Sequence, residues 1–211
     1  MAQRIAIVDY GMGNLRSVEK ALLHVAPQAQ VAVTSDPEAV RRADRVVFPG
    51  QGAMPDCMQC LAGRGLGEAV REAAAARPFL GLCIGLQMLF ERSDEGPTAG
   101  LAILPGEVLA FARADETREA GLKIPHMGWN EAWQVRPHAL WQGIPDGARF
   151  YFVHSYYCAT RDPSLTAAVS RYPHAFTSAI ARDNIFATQF HPEKSSAAGL
   201  KLLENFATWT P

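Results

Sequence analysis

The sequence lacks an excess of charge of either sign. Its 20 Lys and Arg residues nearly balance 21 Asp and Glu residues, which gives a formal net charge of −1. No basic field is therefore available to hold a phosphate backbone or an anionic membrane surface. Long apolar runs are also missing: the longest uncharged apolar stretch, residues 79–90, contains two glycines and Gln87 and is shorter than the roughly 20 residues of a spanning helix. We expect no nucleic acid partner and no membrane partner.

Cysteine is scarce, with four residues in 211. They are Cys57, Cys60, Cys83 and Cys158. The first apolar segment ends at Asp9 and is too short for the apolar core of an export signal, so we predict thiols in a reducing cytoplasm. Cys57 and Cys60 have the CxxC spacing of zinc and redox sites, but a second pair of donors is missing. We interpret that spacing as coincidental.

Short β-branched runs alternate with helical patterns in the first half of the chain. Strands are predicted at residues 4–9, 31–33, 45–48 and 79–82, and helices at residues 14–25, from 36 onward and at 65–77. Nearly all the strand residues are apolar, as expected for a parallel sheet covered by helices on both faces. This pattern predicts an α/β fold with a flavodoxin-like, doubly wound, mostly parallel sheet.

The second half of the chain is richer in strand patterns. Further strands are predicted at residues 107–111, 150–158, 166–169, 178–181 and 185–189. A last helix, capped by Ser195 or Ser196, runs to about Trp209. No linker or repeat divides the chain, so we predict one domain over residues 1–211, with a β-rich C-terminal extension of the sheet.

The most specific pattern follows the fourth predicted strand. Gly81, Cys83 and Gly85 stand at alternate positions, and a helical pattern follows over residues 86–91. Flanking glycines relieve clashes across the strained strand-to-helix turn that presents a nucleophile. Such a turn exposes Cys83 at a helix N-terminus that favours a thiolate, next to the Ile84 N–H, which can stabilise an oxyanion. The same spacing also fits a buried cysteine between two structural glycines.

A thiol nucleophile requires a base, and His191 is the candidate. Glu193 follows two residues later, and residues i and i+2 of an extended segment face the same way. The Glu193 carboxylate can then hold one imidazole nitrogen while the other faces Cys83, which completes a Cys-His-Glu triad. The alternative is that His191 only ends a strand.

A glycine-rich turn over residues 48–53 reaches the same edge of the sheet. It contains Gly50, Gln51 and Gly52. Such turns leave backbone N–H groups free to face an anion. Considered with Cys83, the turn is predicted to form the second half of an oxyanion hole. Considered without Cys83, it indicates only a tight turn.

Four more segments carry recognisable motifs, and they span nearly the whole chain: residues 10–18, 123–130, 150–157 and 190–195. With the turn at Cys83, they resemble the motifs of class I (triad) glutamine amidotransferases. Residues 190–195 are common to that family, whereas residues 123–130 and 150–157 resemble its branch of glutaminase subunits of imidazole glycerol phosphate synthase. One position departs from the family pattern, because Gln51 stands where the family usually has valine.

The resemblance implies that the chain hydrolyses glutamine to glutamate and ammonia. Cys83 is then the nucleophile, and His191, oriented by Glu193, is the acid and base. Matched residue by residue, the oxyanion hole and the glutamine site comprise Gly50, Gln51, Gly52, Ile84, Gln87, Glu95, Ser155 and Tyr156. The residues implied to face a partner subunit are Met127, Trp129 and Lys194.

The implied partner is a (βα)8-barrel cyclase subunit that forms a heterodimer with the chain and uses its ammonia to make imidazole glycerol phosphate and an aminoimidazole carboxamide ribotide in histidine biosynthesis. The resemblance implies no metal or organic cofactor. Two other interpretations stay open. A free-standing cysteine hydrolase, such as a peptidase or γ-glutamyl hydrolase, explains Cys83 and His191 but not the partner-type segments. A non-catalytic flavodoxin-like module requires the triad to be coincidental, and Trp129 also fits a core position.

Overall fold

A computed structural model describes residues 2–115, 119 and 121–211. The strands are β1 (Arg4–Val8), β2 (Gln30–Thr34), β3 (Arg45–Gly50), β4 (Phe79–Cys83), β5 (Arg92–Ser93), β6 (Thr98–Ala99), β7 (Gly106–Ala110), β8 (His126–Gln134), β9 (Ala148–His154), β10 (Tyr156–Thr160), β11 (Thr166–Arg171), β12 (Ala175–Arg182) and β13 (Ile185–Thr188). The helices are α1 (Leu15–Val25), α2 (Pro37–Arg42), α3 (Met54–Gly63), α4 (Gly67–Ala76), α5 (Ile84–Gln87) and α6 (Ser196–Thr208).

Five strands form the parallel centre of the sheet, in the order β2-β1-β3-β4-β13. β1 pairs in parallel with β2 and β3, and β4 pairs in parallel with β3 and β13. This is the strand order of flavodoxin-like folds, so the predicted fold class is confirmed. Every residue of β3 and β4 is buried, as expected for strands covered on both faces.

The helices lie on both faces of this parallel centre. Along β1, Ala6 and Val8 belong to one hydrophobic cluster, which includes residues of α3 and α4. Ile5 and Ile7 belong to a second cluster, which includes residues of α1 and α6. Successive strand side chains point to opposite faces, so β1 contributes to both cores. The sheet is therefore doubly wound, and its carboxyl edge is where ligands bind in such folds.

The β-rich part extends the sheet by antiparallel pairing. β12 pairs antiparallel with β13, and β10 lies between β12 and β7. A branch runs from β12 through β11 and β8 to β9. The single strand predicted over residues 150–158 is wrong, because the ladder breaks at Ser155. β9 pairs with β8, whereas β10 pairs with β7 and β12, so the chain changes partners at that residue.

Two helix predictions also differ from the structure. The helix predicted at residues 86–91 starts earlier, at Ile84, and ends at Gln87. It stops because the loop after it takes the next carbonyls: Leu101 N–H donates to Met88 O, and Leu104 N–H donates to Leu89 O.

Ser195 stands at the N-terminus of α6, but its hydroxyl makes no capping hydrogen bond. Instead it donates to His191 O at 2.6 Å and accepts from Tyr151 N–H at 3.0 Å. Asp36, in contrast, caps α2, the helix predicted from residue 36 onward, through Glu38 N–H at 2.9 Å, with Pro37 in the first helical position. In the described part of the chain, no helix has the length and hydropathy of a membrane span.

Candidate active site

The turn at Cys83 has the strained backbone that its glycines predict. Cys83 ends β4 with φ 55° and ψ −111°, and α5 begins at the next residue. A Cβ on Gly85 would lie 1.9 Å from the carbonyl oxygen of Phe48, and a Cβ on Gly81 would lie 2.9 Å from Ala187 Cβ. Both glycines are therefore required by close packing against the neighbouring strands. A positive φ in a non-glycine residue costs free energy and is concentrated at functional sites.

The prediction that Cys83 is exposed is wrong. This residue is only 4% exposed, because β3 and β13 flank β4 and the side chain faces a cavity. The buried position keeps water away from the thiol and strengthens the electrostatic effect of nearby charges.

His191 and Glu193 form a buried ion pair just after β13. His191 Nδ1 lies 2.8 Å from Glu193 Oε1, and the two side chains are 4% and 1% exposed. The predicted contact is present, but the segment is not extended throughout. Pro192–Lys194 forms a 3-10 turn, which brings the carboxylate back under the ring. His191 Nε2 makes no hydrogen bond to any described residue, so this nitrogen is available for chemistry.

The pKa of His191 reflects two opposing effects. Burial lowers it, but the interactions with Cys83 and with Glu193 raise it more, to about 10. A protonated imidazole is therefore favoured at neutral pH when Cys83 is a thiolate. Such a pair supplies a nucleophile and a proton donor together.

A cavity of about 320 Å³ connects these groups. Its volume suits a small polar molecule. It is lined by Gln51, Gly52, Cys83, Ile84, Gln87, Glu95, Pro125, Val153, His154, Ser155, Tyr156 and His191. All the residues predicted to bind substrate or oxyanion are thus brought together here, except Gly50, which lies directly beside Cys83 as its register partner in β3.

The end of β3 and the turn that follows it are held by two side chains that contact backbone carbonyls. Tyr10, which is fully buried, donates its hydroxyl to Pro49 O at 2.9 Å, and Cys57 Sγ lies 3.5 Å from Gln51 O. Gly52 has φ 106°, a conformation that side chains rarely adopt. Gln51 is exposed, so the departure from the family pattern does not disturb the core. Its backbone remains at the cavity.

The comparisons with known proteins agree with this arrangement. The sequence model of class-I glutamine amidotransferases matches residues 6–209. The chain belongs to the class-I glutamine amidotransferase family.

Two relatives and two solved structures illustrate how similar other amidotransferases are to this one. The imidazole glycerol phosphate synthase subunit HisH of Aromatoleum aromaticum is 64% identical over 98% of this chain and 99% of its own length. That of Nitrosospira multiformis is 62% identical, with 98% of each chain covered. PurLQS from Thermotoga maritima has a TM-score of 0.73 at 15% identity, covering 99% of both chains. A glutamine amidotransferase of the same organism has a TM-score of 0.64 at 14% identity, covering 94% of this chain and 79% of its own. These two structures support the fold alone.

Polar side chains in and beside this amidotransferase cavity were only partly predicted. Glu95 accepts the Met54 N–H at the start of α3 at 2.8 Å, and burial raises the pKa of its carboxyl group although that bond opposes the shift. Gln87 is buried and donates to Gln189 Oε1 at 3.0 Å, and Gln189 Nε2 lies 3.8 Å from Cys83 Sγ. Sequence reasoning missed Gln189. The sequence feature that could have identified it is its position, since Gln189 is a polar residue directly after the mostly apolar strand β13.

The residues predicted to face a partner of the amidotransferase do not line the cavity. Met127 and Trp129 project from β8 and are 62% and 44% exposed, so Trp129 is not a core aromatic. The Trp129 ring lies 6.4 Å from that of Tyr151, and Lys194 Nζ lies 5.9 Å from the Tyr151 ring. Tyr151 O also accepts the His191 N–H at 2.9 Å. This outer face therefore lies directly behind the candidate base.

No group of three or more His, Cys, Asp or Glu residues that could hold a metal ion occurs in the described ranges. Cys57 and Cys60 both lie on α3, where Cys57 is buried. Cys57 contacts the backbone of the turn after β3 rather than a second pair of donors.

Proposed function

We propose that this chain is the glutaminase subunit of an imidazole glycerol phosphate synthase, acting in histidine biosynthesis. The observation that carries the proposal is that Cys83, on a strained turn, and His191 line one small cavity, while His191 Nδ1 lies 2.8 Å from Oε1 of the buried Glu193. The relatives named as subunits of that synthase support the branch of the family. A single family match over residues 6–209 supports one domain over residues 1–211.

In the proposed mechanism, Cys83 Sγ attacks the side-chain amide carbon of glutamine. The negative charge that develops on the amide oxygen is stabilised by the Ile84 N–H and by an amide of the segment from Gly50 to Gly52. His191, held by Glu193, gives its proton to the departing nitrogen, so the C–N bond breaks and ammonia leaves. The oxyanion is stabilised electrostatically, and the thiolate and imidazolium attract each other. Both interactions are stronger in this buried site than in bulk water.

The γ-glutamyl thioester that remains is hydrolysed by water. His191 now removes a proton from the water, which attacks the thioester carbon, and the Cys83 thiolate is expelled as glutamate forms. The amino-acid end of glutamine is proposed to be bound by Gln87, Glu95, Ser155 and Tyr156. Of these four residues, Gln87 has a buried Oε1 with no hydrogen-bond partner among the described residues. A buried acceptor of this kind is stabilised by a donor from a ligand.

The ammonia is proposed to pass to a (βα)8-barrel cyclase subunit in a cytoplasmic heterodimer, which forms imidazole glycerol phosphate and an aminoimidazole carboxamide ribotide. Met127, Trp129 and Lys194 are proposed to contact that partner. The exposed aromatic surface on β8 and its position behind His191 support this assignment. The balanced charge of the chain supports the absence of nucleic acid and membrane partners.

The test is steady-state glutamate production by the purified chain, alone and with both the barrel subunit and its nucleotide. We expect slow hydrolysis alone and an increase of at least ~100-fold with the partner, which corresponds to roughly 3 kcal/mol of barrier lowering. Trp129→Ala and Lys194→Ala should reduce that increase without lowering Tm. Leu23→Ala, which removes an apolar side chain of 44% exposure from α1, is the matched control. Full activity of the isolated chain, unchanged by the partner, would instead support the free-standing cysteine hydrolase.

A further inference from the structure

Two buried histidines stand next to the cavity, and the mechanism above does not use them. His126 and His154 are 4% and 5% exposed. His126 Nδ1 lies 2.9 Å from His154 Nε2, and His154 Nδ1 lies 2.8 Å from Tyr156 O. Beyond His126, the side-chain nitrogen of Asn130 lies 3.3 Å from His126 Nε2. The four groups therefore form an unbroken row of hydrogen bonds.

The direction of every bond in this row is determined by its ends. A carbonyl oxygen only accepts, so His154 Nδ1 carries the proton that is donated to Tyr156 O. Burial lowers the pKa of His154 to about 3 and that of His126 to about 4, so both rings are neutral. His154 Nε2 is then an acceptor, and His126 Nδ1–H must donate to it. His126 Nε2 in turn accepts from Asn130, whose amide nitrogen also donates to Arg171 O at 3.0 Å.

The row continues from Tyr156 O to the candidate nucleophile. Gln87 Nε2 donates one hydrogen to Tyr156 O at 3.2 Å and the other to Gln189 Oε1 at 3.0 Å. Gln189 Nε2 points to Cys83 Sγ at 3.8 Å. Because both amide hydrogens of Gln87 are donated within the protein, the amide group has one orientation. Its Oε1 then takes the position opposite Nε2. Tyr156 O thus fixes the orientation of Gln87 and, through it, that of Gln189.

Aromatic rings hold His126 in the position that this row requires. Its ring stacks on Tyr172, with centroids 4.0 Å apart and an interplanar angle of 20°, and on Phe152 at 5.1 Å. His126 is also the first residue of β8, the strand from which Met127 and Trp129 project outward. The row therefore connects the strand of the proposed partner face to the cavity.

We infer that His126 and His154 are positioning residues that act through the carbonyl of Tyr156 to fix Gln87 and Gln189 against Cys83. The inference rests on the proposed glutaminase function for its kinetic consequence, but the hydrogen bonds themselves can be tested without it. Both histidines act only through other residues, and neither of them exchanges a proton during turnover.

Two substitutions of His126 separate a donor role from a packing role. His126→Phe keeps the aromatic stacking and most of the volume but removes the donor to His154. His126→Asn loses the stacking but keeps an N–H at the position of Nδ1. With the barrel partner and nucleotide present, we expect kcat/KM for glutamine to fall about tenfold in His126→Phe and less than about threefold in His126→Asn, the size expected for one hydrogen bond. A purely structural role predicts the reverse order.

The rate of Cys83 alkylation by iodoacetamide, followed by mass spectrometry on the isolated full chain, gives a readout independent of glutaminase activity. It should change at least about threefold in His126→Phe, because Gln189 then loses its fixed orientation. His138→Phe is the matched control, since His138 is half-buried and packs on Phe186 and Trp209, away from Cys83. Equal changes in the two variants would overturn the inference. If the wild type lacks glutaminase activity, the proposed function fails, and the alkylation rates still decide the inference.

The tautomers provide a measurement that needs no variant. Long-range ¹⁵N–¹H correlation spectra of the wild-type chain at pH 7 should show both His126 and His154 as neutral rings protonated at Nδ1. An Nε2–H tautomer or a cationic ring at either position would contradict the direction of the row and overturn the inference, whatever the behaviour of the variants.

Discussion

The two sides of the cavity hold their functional groups by different means. On the parallel side, the position of Cys83 is set by backbone packing: Gly85 lies against the backbone of β3, and Gly81 lies against β13. On the antiparallel side, His154 and Tyr156 are placed by hydrogen bonds between side chains and carbonyls. In the first arrangement there is no room for a Cβ on either glycine, so a substitution there must displace a backbone. The second can be altered by changing one donor.

The histidines show the same contrast in their charge. His191, which follows the parallel strand β13, has its pKa raised to about 10 despite its burial, because Cys83 and Glu193 are nearby. For His154, on the antiparallel side, burial lowers the pKa to about 3. The charged histidine thus lies on the side where backbone packing sets positions, and the neutral histidines lie where side-chain hydrogen bonds set the orientation.

The largest expected effect is on the parallel side. Cys83→Ala should abolish glutamine hydrolysis, because it removes the nucleophile, while leaving Tm nearly unchanged, because Gly81 and Gly85 still form the turn. The measurement is glutamate release with the partner present, together with a thermal melt. Cys60→Ala, which changes a half-buried thiol on α3, is the control and should retain activity. Modification of Cys60 rather than Cys83 by a glutamine-analogue alkylator would contradict the assignment.

The next effect distinguishes the base from its orienting partner. His191→Asn should reduce turnover more than Glu193→Gln, because losing the base stops proton transfer, whereas losing the carboxylate leaves the base poorly held. Either loss can reach about 10³-fold, by analogy with serine triads. The measurement is kcat with saturating glutamine and the barrel partner. Near-wild-type turnover in both variants would show that the ion pair is not catalytic.

The local part of this site could be predicted from the sequence. The Gly81-Cys83-Gly85 spacing is a short-range pattern, and the packing that requires it involves backbone next to backbone. The His191–Glu193 contact was also predicted, although the structure makes it with a 3-10 turn instead of an extended segment. Proline at position 192 favours a turn there, and the i, i+2 rule alone did not include that effect.

The hydrogen-bonded side could not be predicted in the same way. Gln87 and Gln189 are 102 positions apart, and His126 and His154 are 28 apart. Such pairs become visible only when the strand pairing is known. The break at Ser155 has the same origin: the backbone bends at this residue, and the strand after it pairs with β7 and β12 instead of β8. Sequence periodicity records which face is buried but not which strand is adjacent.

A smaller effect tests the glycine packing directly. Gly85→Ala should lower the free energy of unfolding by about 3 kcal/mol or by more, because its Cβ would overlap the Phe48 carbonyl of β3 and one of the two backbones must move. Gly63→Ala is the matched control, since a Cβ there meets no atom within 4 Å. The measurement is urea unfolding of both variants. Equal stability would mean that the turn can relax, and the contrast between the two sides would be lost.

The smallest expected effect is a difference in the pH dependence of stability. The pKa values of His126 and His154 lie below their ordinary value of 6.5 in the folded chain, mainly because of burial. Their contribution is therefore complete above pH 6.5 and is lost as the pH falls towards 4 and 3, since the unfolded chain takes up protons that the folded chain does not. His191 has the opposite sign: its contribution is complete below pH 6.5 and is lost as the pH rises through about 10.

Urea unfolding between pH 6.5 and 5 separates these contributions. His126→Asn should reduce the loss of stability on acidification, because one buried imidazole no longer resists protonation. His138→Asn should reduce it similarly, because burial also lowers the pKa of His138 to about 4. His191→Asn should leave the slope in this window unchanged and flatten it between pH 8 and 10 instead. A reduced slope below pH 6.5 in His191→Asn, or none in His126→Asn, would contradict the assignment of charged and neutral histidines to the two sides of the cavity.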